Sequence, residues 1–150
     1  MKPIQKQIDY TIIREASITQ MLKQFKLIRQ LNPNLKLDAF NKMIPEMAKL
    51  NYKMLCIFDG KKCVAVSGYW IGVKIYCGKY LELDNVVVDE SYRSKGLGKL
   101  LCDELLKIGI ENNCNVLMLD AYLSNEPAHR FYEREGYVKK GYHFIKKAGK

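Results

Sequence analysis

Residues 83–105 read LDNVVVDESYRSKGLGKLLCDEL, and the fold turns on how they are read. An apolar, β-branched run comes first, with the pattern of a buried strand. Leu97, Leu101, Leu105 and Ile108 then recur at helical spacing, which predicts a helix over residues 97–112. Between the two stand Arg93, Ser94, Lys95, Gly96, Leu97, Gly98 and Lys99. Glycines there permit close approach to the backbone, and the cations point to an anion. A strand-to-helix turn of this kind presents successive backbone N–H groups as a nest. The helix adds its own unpaired donors and the positive end of its dipole. A pyrophosphate fits that description. Two other phosphate signatures do not match. A P-loop needs a glycine five positions before Gly98, where Arg93 stands, and Ser or Thr after Lys99, where Leu100 stands. A dinucleotide fingerprint needs a third glycine where Leu101 stands, and belongs near the first βα turn.

Working outward, residues 8–14 (IDYTIIR) read as a first strand. SITQMLKQFKLIRQL reads as one helix, opened by a Ser17/Gln20 capping box and stopped at Asn32-Pro33. Asp38 is expected to cap a second helix, with Phe40, Met43, Ile44 and Met47 on one face and Pro45 kinking or splitting it. YKMLCIF and KKCVAVSGYWIGVKIY form a hairpin about Asp59-Gly60. KYLELDNVVVD is the next strand and NVLMLDAY a buried one. NEPAHRFYERE is a short helix begun at Ser124 or Asn125, with Pro127 in its first turn and Gly136 at its end. YVKKGYHFIKK is one last strand or two very short ones. The order β-α-α-β-β-β-α-β-α-β has three consecutive strands between helical stretches, which argues for a mixed sheet rather than a doubly wound one.

The 150 residues suit one domain, 1–150, with a sizeable core. No apolar run approaches the ~20 residues of a membrane span, and the first residues carry no signal-peptide pattern. The expectation is a cytoplasmic protein with no membrane partner. A net charge of +9 favours anionic partners. The cations are mostly scattered lysines, however, with no basic run interleaved with aromatics, so nucleic acid is not an expected partner. The five cysteines include no CxxC pair and there are only two histidines, which argues against a disulfide framework or a metal centre.

Residues 83–105 resemble the acetyl-CoA-binding motif of the GNAT superfamily of N-acetyltransferases: strand, R-x-x-G-x-G, long helix. NEPAHRFYEREGYVKKGY (residues 125–142) resembles that superfamily's next motif. The two stand in the family's order, and the resemblance spans roughly residues 8–147. It implies an α+β fold in three layers, a mixed and mostly antiparallel sheet with helices on both faces. It implies acetyl-CoA as co-substrate, with no metal. The pyrophosphate would sit on Arg93 to Lys99. The pantetheine arm would pair with the backbone of Val86, Val87 and Val88, along an edge opened by splaying that strand from NVLMLDAY, often at a bulge. Asn125 would hydrogen-bond the arm, with Ala128, Phe131 and Tyr132 beside it.

Acetyl transfer to an amine needs a neutral nucleophile, a donor for the oxyanion and a proton for the leaving thiolate. Tyr132 matches the family's frequent general acid. Glu82 and Asp84, two apart on one strand and so on one face, each match acidic positions of the family, as base or as binder of a cationic amine. The oxyanion donor would be the N–H of Val88 or a neighbour. No cysteine has a histidine beside it in the motif, so direct attack in a ternary complex is expected. The acceptor, a small amine or a peptide or protein amine, is open, as is the choice between monomer and homodimer. A catalytically silent acyl-CoA-binding sensor of the same fold is the alternative. It would bind CoA and turn over nothing.

Overall fold

The computed structural model describes residues 9–149. Ile8, where the first strand was expected to begin, lies outside them. The elements run β1 (Thr11–Ile13), α1 (Ile18–Leu22), α2 (Phe25–Leu31), α3 (Leu37–Lys49), β2 (Lys53–Asp59), β3 (Lys62–Lys74), β4 (Gly78–Val88), a 3-10 turn (Glu90–Tyr92), α4 (Leu97–Glu111), β5 (Val116–Met118) and α5 (Glu126–Arg134). The strands form one sheet in the order β1-β2-β3-β4-β5. Every neighbouring pair is antiparallel except β4 and β5, which are parallel. The expected mixed, mostly antiparallel sheet is therefore observed.

Both sheet faces are covered, because the central strands are apolar on both sides. Leu55, Ile57, Leu81 and Leu83 pack against α4 through Leu97, Leu101, Leu105 and Ile108. On the other face Met54, Cys56, Val66 and Val87 meet Met21, Leu27, Ile28, Phe40 and Ile44 of α1–α3. The result is helix, sheet, helix. No helix among the described residues is long and apolar enough to cross a membrane.

Five expectations need correction. Asp38 does not cap α3: the helix begins at Leu37 after Lys36, and Asp38 lies inside its first turn. The first helical stretch is two helices, α1 and α2, separated at Lys23 and Gln24. The Ser17/Gln20 capping box opens α1 as expected. Pro45 does not split α3, which runs continuously from Leu37 to Lys49 with Phe40 and Ile44 both buried. Packing of that apolar stripe on the sheet holds the helix across the missing N–H. The segment NVLMLDAY yields only three strand residues, and Val116 is 38% exposed. It is the last strand in the sheet, so only one of its edges is paired. The final strand is absent: residues 137–149 form no strand, and Val138, Tyr142, Phe144 and Ile145 are exposed. The sequence YVKKGYHFIKK pointed to a strand, but its apolar and lysine residues come in runs rather than alternating, so neither face of such a strand would be apolar throughout.

β4 carries an irregularity that redirects its side chains. Val66 faces Val87 and Gly68 faces Asp84, so one β3 residue, Ser67, opposes two on β4, Asn85 and Val86. This is a β-bulge, and Asn85 sits in the left-handed region at φ 52°. The extra residue inverts the alternation. Leu81 and Leu83 point to the α4 face and Glu82 and Asp84 to the other, yet after the bulge Val86 and Val88 point to the α4 face and Val87 away. Pairing of β4 with β5 covers only Tyr80 to Glu82. From Leu83 onward that edge of β4 has no strand beside it among the described residues.

Candidate active site

The turn after β4 is built by short-range capping. Asp89 closes the 3-10 turn by accepting from the Ser91 N–H at 2.9 Å. Ser94 (φ 61°) and Gly96 (φ 80°) are both left-handed, which reverses the chain into α4. A Cβ at position 96 would meet open space, so glycine is there for its backbone conformation. Gly98 answers a different need. A Cβ on it would lie 3.0 Å from the Phe131 ring, so its absence lets α5 lie close on the start of α4. Gly96 supplies no side-chain cap, leaving the first N–H groups of α4 free to meet a ligand.

A groove of about 440 Å³ opens at this helix start. Val86 and Val88 line it from β4, Arg93, Ser94, Gly96, Leu97, Gly98 and Lys99 from the turn, and Ala128, Phe131 and Tyr132 from α5. The structure thus brings eleven of the expected residues to one place. Tyr92 and Arg134 line it too and were not foreseen. Arg134 follows Phe131 by three residues on a helix, so its shared face was readable from the spacing. Arg93 and Arg134 form no ion pair among the described residues, whereas Lys99 is held by Asp103 at 3.2 Å and Glu135 at 3.6 Å.

Three expected residues stand apart. Lys95 lies on the Tyr92 ring, its Nζ 4.7 Å from the centroid. Val87 is 4% exposed in the α1–α3 face of the core. Its main chain faces β3 as well. Asp89 N–H donates to Val64 across that pair at 2.8 Å, and alternation therefore turns Val87 inward and Val88 to the open edge. Asn125 caps α5, its side-chain oxygen accepting from the Ala128 N–H at 3.3 Å.

Tyr132 packs edge-on against Phe131 and Tyr137, with centroids 5.0 and 5.6 Å away. Burial, aided by the nearby Cys102, pushes its phenol above the usual tyrosine range, so it keeps its proton. Burial also pushes the Cys102 thiol up, to about 12, which leaves it no thiolate character at neutral pH.

Glu82 and Asp84 share a face of β4, as their spacing predicts, and it is the face opposite the side chains of Val86 and Val88. Asp84 is engaged at both oxygens: the Trp70 indole N–H donates to one at 3.0 Å and the Asn85 amide to the other at 3.1 Å. Among the described residues Glu82 has no such partners. It lies between Trp70 of β3 and Met118 of β5. Desolvation, then repulsion from Asp120, raises its carboxyl above the ordinary value, with Lys74 opposing.

The sequence model of the acetyltransferase (GNAT) family matches residues 21–137. Glucosamine 6-phosphate N-acetyltransferase 1 of Dictyostelium discoideum is 27% identical over 133 residues, covering 86% of this chain and 73% of its own. The crystal structure of glucosamine-6-phosphate N-acetyltransferase from Arabidopsis thaliana superposes with a TM-score of 0.72 at 25% identity, over 94% of this chain and 99% of that one. An aminoglycoside N-acetyltransferase solved with CoA shares the fold, with a TM-score of 0.80 at 18% identity over 94% and 96% of the two chains. The chain belongs to the acetyltransferase (GNAT) family.

Proposed function

We propose that the protein is an N-acetyltransferase that uses acetyl-CoA to acetylate a primary amine by direct attack in a ternary complex. One observation carries the reading: the uncapped start of α4, flanked by Arg93 and Arg134, meets the open edge of β4 in a single groove. The first supplies donors and charge for a pyrophosphate. The second supplies main-chain groups for an amide-bearing arm. Acetyl-CoA brings both anion and arm, and its thioester is the activated acetyl group.

The roles follow from position. The N–H groups of α4 and the guanidinium groups of Arg93 and Arg134 hold the pyrophosphate. Val88 offers its N–H at the open edge as oxyanion donor. Tyr132, protonated across the neutral range, gives the leaving thiolate its proton. Glu82 takes the proton from the amine, since a raised carboxyl is a better base than an ordinary one. Asp84 anchors Trp70 and Asn85. Glu82, Asp84 and Asp120 make the acceptor side acidic, which suits a cationic amine better than a sugar phosphate.

The test is release of CoA from acetyl-CoA, by thiol trapping, across polyamines, aminoglycosides, amino acids, lysine peptides and glucosamine 6-phosphate. Amine-dependent release that drops about 100-fold in Tyr132→Phe is expected. Acetyl-CoA binding with no release for any amine would replace the enzyme with a sensor of the same fold. Preference for the sugar phosphate would refute the cationic acceptor.

A further inference from the structure

Two amide side chains near the end of α2 reach the two ends of the cofactor-facing part of β4. Gln30 takes the Glu90 N–H at 3.0 Å and donates to Asp89 Oδ2 at 3.4 Å. Asn32 donates to Asn85 Oδ1 at 3.0 Å, sharing the same amide with the Ile28 carbonyl at 3.1 Å. The bonds bracket Val86 to Val88. One end is the left-handed Asn85 of the bulge and the other is the entry to the glycine turn. Neither Gln30 nor Asn32 lines the groove. From Asn85 the chain of bonds continues to Asp84 and on to Trp70, the only tryptophan in the protein.

We infer that Gln30 and Asn32 are positioning residues: together they clamp the β4 segment Val86–Val88 at both ends and set how well its open edge receives acetyl-CoA. The inference rests on the function proposed above. The physical need is plain. A non-glycine residue in the left-handed region carries a conformational cost, and an edge strand with no neighbour beyond Glu82 has little else on that side to hold its shape. The Asn85 side chain offers a handle, and Asn32 grips it. Gln30 does the same through the main chain of Glu90 and the carboxylate of Asp89. Because both grips come from one seven-residue helix and its C-terminal cap, a displacement of α2 moves both ends of the segment together.

The clamp is tested by calorimetric titration of the whole protein with acetyl-CoA. Wild type is compared with Gln30→Ala, Asn32→Ala, Asn85→Gly and the Asn32→Ala/Asn85→Gly pair. Each alanine variant is expected to weaken binding about three- to tenfold. In the Asn85→Gly background, Asn32→Ala should have no further effect, since the handle is gone and glycine takes the left-handed conformation unaided. Trp70 fluorescence should shift in Asn32→Ala and stay unchanged in Gln30→Ala, because only the first bond chain ends on the indole. Both substituted side chains are at least partly exposed, so the variants fold. Wild-type affinity in both alanine variants overturns the clamp and leaves the proposed function standing. An equal loss from Asn32→Ala whether or not Asn85→Gly is also present overturns it too. Failure of the wild type to bind acetyl-CoA at all takes down the proposed function, and the clamp with it.

Discussion

At the scale of single residues, the proposed mechanism divides the chemistry between a tyrosine that keeps its proton and a glutamate made more basic by its surroundings. A general acid works only while protonated. With Tyr132 pushed above the usual phenol value near 10, activity should show no alkaline fall below about pH 10 from this group. Glu82 acts at the other limb. Glu82→Gln should lower kcat/KM about 100-fold near neutrality, and the deficit should narrow as pH rises, because neutral amine then forms without help. A ratio constant from about pH 6 to 10 would show that Glu82 does not deprotonate the amine. Stability should move the opposite way. A carboxyl raised in the folded state contributes stability fully present below its unfolded pKa and lost as pH rises through the folded one. Glu82→Gln is therefore expected to melt slightly higher than wild type at neutral pH, with the gain vanishing in acid. Glu82 and Tyr132 were legible in the sequence as candidates, through the resemblance around them. The engagement of Asp84 was not, since its partner Trp70 comes from another strand, with the pairing set by the sheet's register.

At the scale of elements, the strand-turn-helix unit of residues 83–105 was readable because its signals are local: a β-branched run, a glycine turn and a helical stripe. The bulge was implied by the resemblance alone. It depends on β3 and β4 pairing with one residue out of step, and no local pattern marks Asn85 as left-handed. Without it Val86 and Val88 would fall on the same face as Glu82. Their arrival in the α4 groove is thus a property of register. The last strand failed for a related reason, since β-forming residues in a segment do not by themselves supply a partner strand. The turn itself makes a sharp prediction. Gly96 is left-handed with open space around its Cα, so Gly96→Ala should cost about 1–2 kcal/mol through conformation alone. Gly96→Asn should cost less, because Asn tolerates that region. Chemical denaturation of the two variants checks the ranking. Equal costs would mean that something other than the left-handed backbone selects glycine there.

At the scale of the whole molecule, the two helical layers hold the sheet from opposite sides, and the α4 layer is tied to the far edge of the sheet by charge. Arg14, just past β1, donates to Glu104 of α4 at 3.1 and 3.2 Å and to Glu111 at 2.7 Å. Lys107 holds the other Glu104 oxygen at 2.8 Å. The Tyr69 hydroxyl fixes the Arg14 carbonyl at 3.0 Å. Lys107 first, and then Arg14, hold the Glu104 carboxyl below its ordinary value despite burial. A depressed carboxyl contributes stability that is present above its unfolded pKa and lost as pH falls through the folded one. The network should thus add nothing in strong acid and its full amount at neutral pH. Because Arg14 is 36% exposed at its side chain and Lys107 would remain, Arg14→Ala is expected to cost about 1–2 kcal/mol at pH 7. That corresponds to roughly 3–6 °C in Tm for a chain of this size. Thermal melts of wild type and variant from neutrality down through the carboxylate range should converge. A difference that persisted undiminished below the carboxylate range would show that Arg14 stabilises the fold by packing its stem across β1 and α4 rather than by pairing with Glu104.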